Sequence, residues 1–111
     1  MAKGDYLGEF EQLVLLALAT VGEDTPGRAV YEELERTTGR DVAVTAVYVT
    51  LNRLQKKGYV SSEMGEATPE RGGRAKKLFR LEPEGAEALK RARAQFDVLW
   101  RSAKSHPELR S

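Results

Sequence analysis

The segment that decides the fold is "VTAVYVTLNRLQKKGYV", which runs from Val44 to Val60. Its apolar residues recur at steps of three and four, a spacing that places them on one face of a helix. The members of this stripe are Val44, Val47, Leu51 and Leu54. We therefore predict a helix from Val44 to about Lys57, ended by Gly58, with one narrow face toward a core.

The start of this helix lacks a clear capping residue. Ala43 stands directly before it, where a serine or threonine would satisfy the free backbone amides. Asp41 and Thr45 are the nearby alternatives, so the sequence leaves the first helical residue open.

The broad face of this helix carries side chains that DNA-reading helices use. Asn52 can pair with adenine and Arg53 with guanine, while small or apolar groups can contact a thymine methyl. Arg53 can also pair with a glutamate, and Tyr48 can be a buried core residue; both alternatives stay open. The residues placed at or near the exposed side are Thr45, Ala46, Tyr48, Val49, Thr50, Asn52 and Arg53.

Two helices are predicted before this segment. The first runs from Gly8 to about Val21 and is apolar nearly all round, which indicates burial against both its own core and another helix or subunit. The second is expected to have Thr25 as its N-cap, Pro26 at its first helical position and Gly39 as its end. A short turn then leads to the third helix.

Two stretches rich in β-forming residues follow and predict a hairpin. "YVSSEMGEAT" and "RAKKLFRLE" alternate in part between apolar and polar residues and are joined by "PERGG". The glycine pair permits a tight turn and a close approach to a groove, and its flanking arginines can enter a minor groove or hold phosphates. An ordinary charged loop is the alternative. The candidate DNA-contacting residues of this hairpin are Arg71, Gly72, Gly73, Arg74, Lys76 and Lys77.

A long final helix is predicted from Pro83 to residue 105. Its apolar residues alternate steps of three and four, the pattern of a coiled-coil seam, which indicates pairing with a second copy of the chain. Trp100, the only tryptophan, lies beside this seam and is expected to pack in the core or the interface. The candidate dimer-interface residues are Phe10, Leu13, Leu89, Ala92, Phe96, Leu99, Trp100 and Ala103.

The order of these elements predicts a mainly α chain with a small β-hairpin. Three helices, a hairpin and a long helix form a winged helix-turn-helix followed by a dimerisation helix. We expect residues 1–82 to form the winged-helix DNA-binding domain, residues 83–105 the dimerisation helix, and residues 106–111 a flexible tail.

The charge is distributed unevenly along the chain. The net charge is +1, yet residues 40–80 carry nine Lys or Arg against four Asp or Glu, while the remainder carries nine against thirteen. A cationic middle favours an anionic partner such as double-stranded DNA. Clustering by chance in a short chain is the alternative.

Composition argues against several other classes. The 111 residues include no cysteine and one histidine, His106, so thiolate metal sites and a cysteine nucleophile are excluded. No phosphate-binding glycine loop or nucleophile-elbow motif occurs, and we expect neither an enzyme nor a cofactor. No apolar run approaches the ~18 residues of a membrane helix. We therefore expect a cytoplasmic protein without a membrane partner.

Three segments resemble the PadR family of bacterial and archaeal transcriptional regulators. They are "LGEFEQLVLLAL", "VYVTLNRLQKKGYV" and "TPERGGRAKKLFRLEPEG", and the resemblance covers residues 7 to about 104. It is closest to the short-form members, whose C-terminal part is one long helix. The resemblance implies a homodimeric repressor of a roughly palindromic site, with Tyr48 contacting DNA. Ala43 and Glu82 depart from the family pattern at two helix starts.

The resemblance also implies a candidate effector site. Some family members bind flat aromatic or cationic compounds between paired tryptophans at the dimer interface, which makes Phe96 and Trp100 the candidate residues here. Simple packing of Trp100 is the alternative. The alternative function is a protein-interaction adaptor that uses the winged-helix face without sequence-specific DNA binding.

Overall fold

The computed structural model describes residues 6–65 and 76–110. Its helices are α1 (Glu9–Val21), α2 (Gly27–Thr38), α3 (Val44–Lys56) and α4 (Pro83–Ala103), followed by a 3-10 turn at Pro107–Leu109. Its strands are β1 (Thr25–Pro26), β2 (Val60–Met64) and β3 (Lys77–Leu81). The strands form one antiparallel sheet in the spatial order β1-β3-β2. The prediction of a mainly α chain with a small β part is confirmed.

The core lies where the first three helices meet the sheet. Phe79 of β3 is fully buried there, beside the apolar stripe that the sequence places on α3. From α1, Leu15 and Leu18 are fully buried, whereas Leu16 between them is 51% exposed. The predicted burial of α1 on more than one side is therefore only partly met within one chain.

The start of α2 differs from the sequence prediction. Thr25 is not its N-cap, because its backbone pairs with Phe79 as part of β1 and its hydroxyl donates to the Gly22 carbonyl at 2.8 Å. The helix begins at Gly27, with Pro26 as an extended N-cap. The sheet consequently has three strands and not the two of the predicted hairpin. A partner 54 residues along the chain decides this, and local sequence does not show it.

The ends of α3 follow the prediction more closely. It begins at Val44 with Ala43 in an extended conformation before it, and no side chain caps its first amides. The two capping alternatives that the sequence offered, Asp41 and Thr45, are therefore both unused. Gly58 follows the helix with a φ of 81°, a left-handed conformation that glycine adopts without strain.

The first turn of α4 is attached to the sheet, and the rest of the helix extends beyond it. The Glu82 amide donates to the Tyr59 carbonyl at 3.0 Å, and the Ser61 hydroxyl donates to the Glu82 carboxylate at 2.6 Å. Gly85 lies so close that a Cβ there would be 2.4 Å from the Tyr59 carbonyl oxygen. Only Gly85 and Ala88 of α4 are buried. The Cα radius of gyration is accordingly 16.4 Å, against roughly 13 Å for a compact chain of this length.

Candidate nucleic-acid interface and dimerisation face

The two sides of α3 have opposite environments. Val47, Leu51 and Leu54 are fully buried against α1 and α2, which leaves the opposite side of the helix in solvent. Thr50 is 4% exposed, so its placement near the exposed side was wrong. It follows Val47 by three residues and therefore shares the buried face. The exposed side presents Thr45, Tyr48, Val49, Asn52 and Arg53, with Ala46 partly buried beside them.

Tyr48 is neither a core residue nor a fully solvated one. Its side of α3 meets the first turn of α2, where the phenol ring lies against Gly27. The residue remains 37% exposed. Within the described residues its hydroxyl has no hydrogen-bond partner, so it is free to donate to an anion.

Asn52 connects α3 to the foot of the hairpin. Its side-chain oxygen accepts a hydrogen bond from Lys77 Nζ at 3.3 Å. The same ammonium group lies 5.4 Å from the centroid of the Phe79 ring, which holds the lysine beside β3. Lys76 precedes it and is exposed. The structure thus brings the Asn52 amide of α3 together with Lys77, one of the two predicted DNA-contacting lysines.

The glycine tip of the hairpin falls on residues 66–75. Arg71, Gly72, Gly73 and Arg74 lie outside the described residues, and their predicted DNA contacts stay predictions. The two ends of this segment are adjacent, because Met64 pairs with Lys77 and the Gly65 amide donates to the Lys76 carbonyl at 2.7 Å. Gly65 and Lys76 therefore lie side by side at the end of the β2–β3 pair.

Several cations of the basic middle are already paired with carboxylates. The pairs are Arg40–Glu9, Lys57–Glu11 and Arg80–Asp24. The hydrogen bond and the charge of Asp24 raise the pKa of Arg80 above its ordinary value. Among the described residues from 40 to 80, the cations without an acidic partner are Arg53, Lys56, Lys76 and Lys77. All four lie on α3 or at the foot of the hairpin, so the uncompensated positive charge is concentrated there.

The far half of α4 presents an apolar face to solvent. Phe96 is 59% exposed, Leu99 70% and Trp100 45%. The Phe96 and Trp100 rings stack, with centroids 6.1 Å apart and planes within 9°. Ala103 is also exposed, whereas Leu89 and Ala92 are partly buried nearer the sheet.

The predicted interface residues of α1 are not the residues that line the groove beside α4. Phe10 and Leu13 are partly buried against the chain's own core. Gln12 and Leu16, one turn apart, instead line an open groove of about 710 Å³ between α1 and α4. Sequence analysis missed both. The available signal was that Leu16 stands outside the main apolar stripe of a helix that is apolar nearly all round.

Three helices, a small antiparallel sheet whose β2 and β3 form a hairpin, and an exposed helix beside that hairpin define a winged-helix protein. The family model described as "Transcriptional regulator PadR-like family" matches residues 15–91, well over half of the chain. The chain belongs to this family. No curated protein sequence matches it.

Solved structures agree with this assignment. A PadR family transcriptional regulator from Eggerthella lenta has a TM-score of 0.70 and 26% identity, over 87% of this chain and 84% of that one. A PadR-like transcription factor from Bacteroides fragilis has a TM-score of 0.71 and 21% identity, over 86% and 87%. A transcriptional regulator from Clostridium thermocellum has a TM-score of 0.69 and 21% identity, over 88% and 90%. The last two support the fold alone.

Family membership makes this chain a transcriptional regulator and not an enzyme. Across residues 6–65 and 76–110, no group of three or more His, Asp or Glu side chains is placed to hold a metal ion. No helix in the described part of the chain is long and apolar enough to cross a membrane.

Proposed function

We propose that this protein is a homodimeric, cytoplasmic repressor that binds a palindromic operator in double-stranded DNA. The observation that carries the proposal is the contact between Lys77 Nζ and Asn52 Oδ1, at 3.3 Å. It means that the exposed side of α3 and the foot of the hairpin form one surface. A helix and a wing on one surface can engage a major groove and the adjacent backbone together.

Each exposed side chain of α3 suits a particular contact. Arg53, which has no ion pair within the described residues, is long enough to reach the guanine edge, and Val49 can contact a thymine methyl. The Tyr48 hydroxyl donates to a phosphate. Lys76 and Lys77 supply positive charge to the backbone and give affinity without sequence preference.

The exposed half of α4 supports the homodimer. Phe96, Leu99 and Trp100 together form an exposed apolar face, and contiguous faces of this kind mark interaction sites. Leu16 and the groove beside it continue this surface onto α1. A second copy of α4 can cover both. Two recognition helices held this way would read half-sites about 34 Å apart.

The stacked pair of Phe96 and Trp100 supports a response to a small molecule. Two parallel, exposed rings offer a flat surface that suits an aromatic or cationic compound. Trp100 is the only tryptophan, so its fluorescence reports directly on this site. Quenching by aromatic cations, together with release of bound DNA, is the expected result; quenching that leaves DNA binding unchanged would contradict an effector role.

Binding-site selection from random duplex DNA at about 0.15 M salt tests the central proposal. We expect an enriched inverted repeat whose half-sites are one helical turn apart. Arg53→Ala should lose the enrichment, whereas Arg101→Ala, the same change on α4, should keep it. Retained duplex without a consensus would contradict sequence-specific reading. No retention of duplex or of heparin would instead favour a protein-interaction adaptor.

A further inference from the structure

Gly27 and Tyr48 are in unusually close contact. A Cβ built on Gly27 would lie 2.5 Å from Tyr48 Cε1, 2.9 Å from Cζ and 3.0 Å from Cδ1. Real Cβ atoms essentially never approach other atoms so closely, so the ring can occupy this place only while residue 27 has no side chain. This contact fixes the position of one edge of the phenol ring, including the carbon that bears the hydroxyl.

The backbone does not explain the glycine. The described glycines with left-handed φ values are Gly22, Gly39 and Gly58, and Gly27 is not among them. Gly27 is instead the first residue of α2, without a left-handed φ. Local conformation therefore allows alanine at this position, and the neighbouring ring is what excludes it.

The contact determines where the Tyr48 hydroxyl points. The ring is held on one edge by Gly27 and stays 37% exposed on the rest of its surface. Within the described residues no hydrogen bond holds the hydroxyl itself. Packing of the ring against the first turn of α2 therefore sets the direction of the Tyr48 hydroxyl.

We propose that Gly27 is a positioning residue for DNA binding, which lets the edge of the Tyr48 ring pack against the first turn of α2 and so directs its hydroxyl at a phosphate. This inference rests on the proposed role of Tyr48 in DNA binding. A methyl group at position 27 would push the ring outward and misplace the hydroxyl while α2 stays helical.

A double-mutant cycle on the full chain tests the inference. The probe is a fluorescein-labelled duplex of about 30 base pairs, carrying the sequence that the unmodified chain enriches most, titrated by anisotropy. We expect Tyr48→Phe and Gly27→Ala each to weaken binding about tenfold per protomer, and so about 100-fold for a dimer that loses two hydrogen bonds to charged groups. In the Gly27→Ala background, Tyr48→Phe should have no further effect, because the hydroxyl is already misplaced.

The matched control is Gly8→Ala. A Cβ at Gly8 would be 3.8 Å from its nearest neighbour, an ordinary contact, and the residue lies before α1. Its affinity for the duplex should equal that of the unmodified chain. Nuclear magnetic resonance supplies a readout that does not involve DNA: Gly27→Ala should move the Tyr48 ring resonances and abolish the cross-relaxation between the Gly27 α-protons and that ring.

The outcomes separate this inference from the function it rests on. The role of Gly27 alone would be overturned if the losses of affinity in the two single variants add up in the double variant. It would also be overturned if Gly27→Ala binds DNA normally while Tyr48→Phe binds it weakly. Undiminished binding by Tyr48→Phe would overturn the tyrosine contact and the role of Gly27 together. Should Gly27→Ala unfold, adding Tyr48→Ala must restore the fold by removing the ring, and failure to do so would also overturn the inference.

Discussion

Lys57 Nζ lies 2.9 Å from the Glu11 carboxylate, which ties the residue after α3 to the first turn of α1. The same carboxylate accepts a hydrogen bond from the Gly8 amide at 2.8 Å, and the ammonium also donates to the Tyr6 carbonyl at 3.4 Å. The side chain of Glu11 is 9% exposed and that of Lys57 is 20% exposed, so water does not replace these contacts. The pair therefore holds the C-terminal end of the recognition helix in place. The charge of Lys57 is therefore used inside the protein.

Lys57→Met should destabilise the fold. It keeps most of the aliphatic stem but leaves a largely buried carboxylate without its cation, and we expect the free energy of unfolding to fall by about 2–4 kcal/mol. Urea denaturation followed by circular dichroism measures the change. Lys56→Met is the matched control, since Lys56 is exposed and has no acidic partner among the described residues; it should change stability by less than about 0.5 kcal/mol. Equal effects would show that the ion pair contributes nothing.

Arg71→Ala together with Arg74→Ala should weaken DNA binding for all sequences alike. Each arginine is expected to neutralise about one phosphate, so the slope of log affinity against log salt should fall by roughly 2 per protomer. Fluorescence anisotropy at several salt concentrations gives this slope. The control removes two arginines from the C-terminal end, Arg101→Ala with Arg110→Ala. An unchanged slope in the wing variant would contradict the wing assignment.

Val49→Ser should alter base preference without altering stability. Val49 is 55% exposed on α3, so the fold does not depend on it, but its methyl groups suit a thymine methyl. We expect the preference at one position of each half-site to change by about tenfold, within the usual cost of one mismatched base pair. Selection from random duplex DNA measures it. Val21→Ser, the same change at the end of α1, should leave the consensus as it was. If Val49→Ser also selects the consensus of the unmodified chain, Val49 does not read a base.

Leu99→Asp should dissociate the proposed dimer. Each dimer would lose two buried leucines, each contributing about 1.5–3 kcal/mol, and would gain two buried charges, so the dissociation constant should rise at least ~100-fold. Sedimentation velocity over a range of concentrations detects the shift. Leu109→Asp is the control, because Leu109 is also exposed but lies beyond α4. If the Leu99 variant sediments like the control, this face of α4 is not the dimer interface.

Local pattern was sufficient for the buried face and the C-terminal end of α3. The apolar stripe of α3 predicted Val44, Val47, Leu51 and Leu54 as its inward face and Gly58 as its end. The last three are fully buried, Val44 is half-buried, and Gly58 follows the helix in a left-handed conformation. These features depend on residues within a few positions of one another. Helical periodicity and left-handed glycine conformations are properties of short segments, so a single sequence contains them.

Contacts between distant segments were not predictable in the same way. Thr25 is of a residue type that is preferred at N-caps, yet its backbone pairs with Phe79 in the sheet, and α2 starts two residues later. Thr50 is polar and was placed outward, but its side of α3 faces the core. Both outcomes depend on where the sheet and the neighbouring helices lie, and one residue's preferences do not contain that information.

The sequence by itself determined the order of the helices and of the β2–β3 hairpin, the apolar face of α3, the basic middle and the apolar spacing along α4, because each follows from the spacing of residue types. Only the tertiary structure decided which cations remain unpaired, that Asn52 meets Lys77, and that the Tyr48 ring lies against Gly27. Those relationships join residues 21 to 25 positions apart. They arise when close packing brings separate segments into contact, and spacing along the chain does not encode that contact.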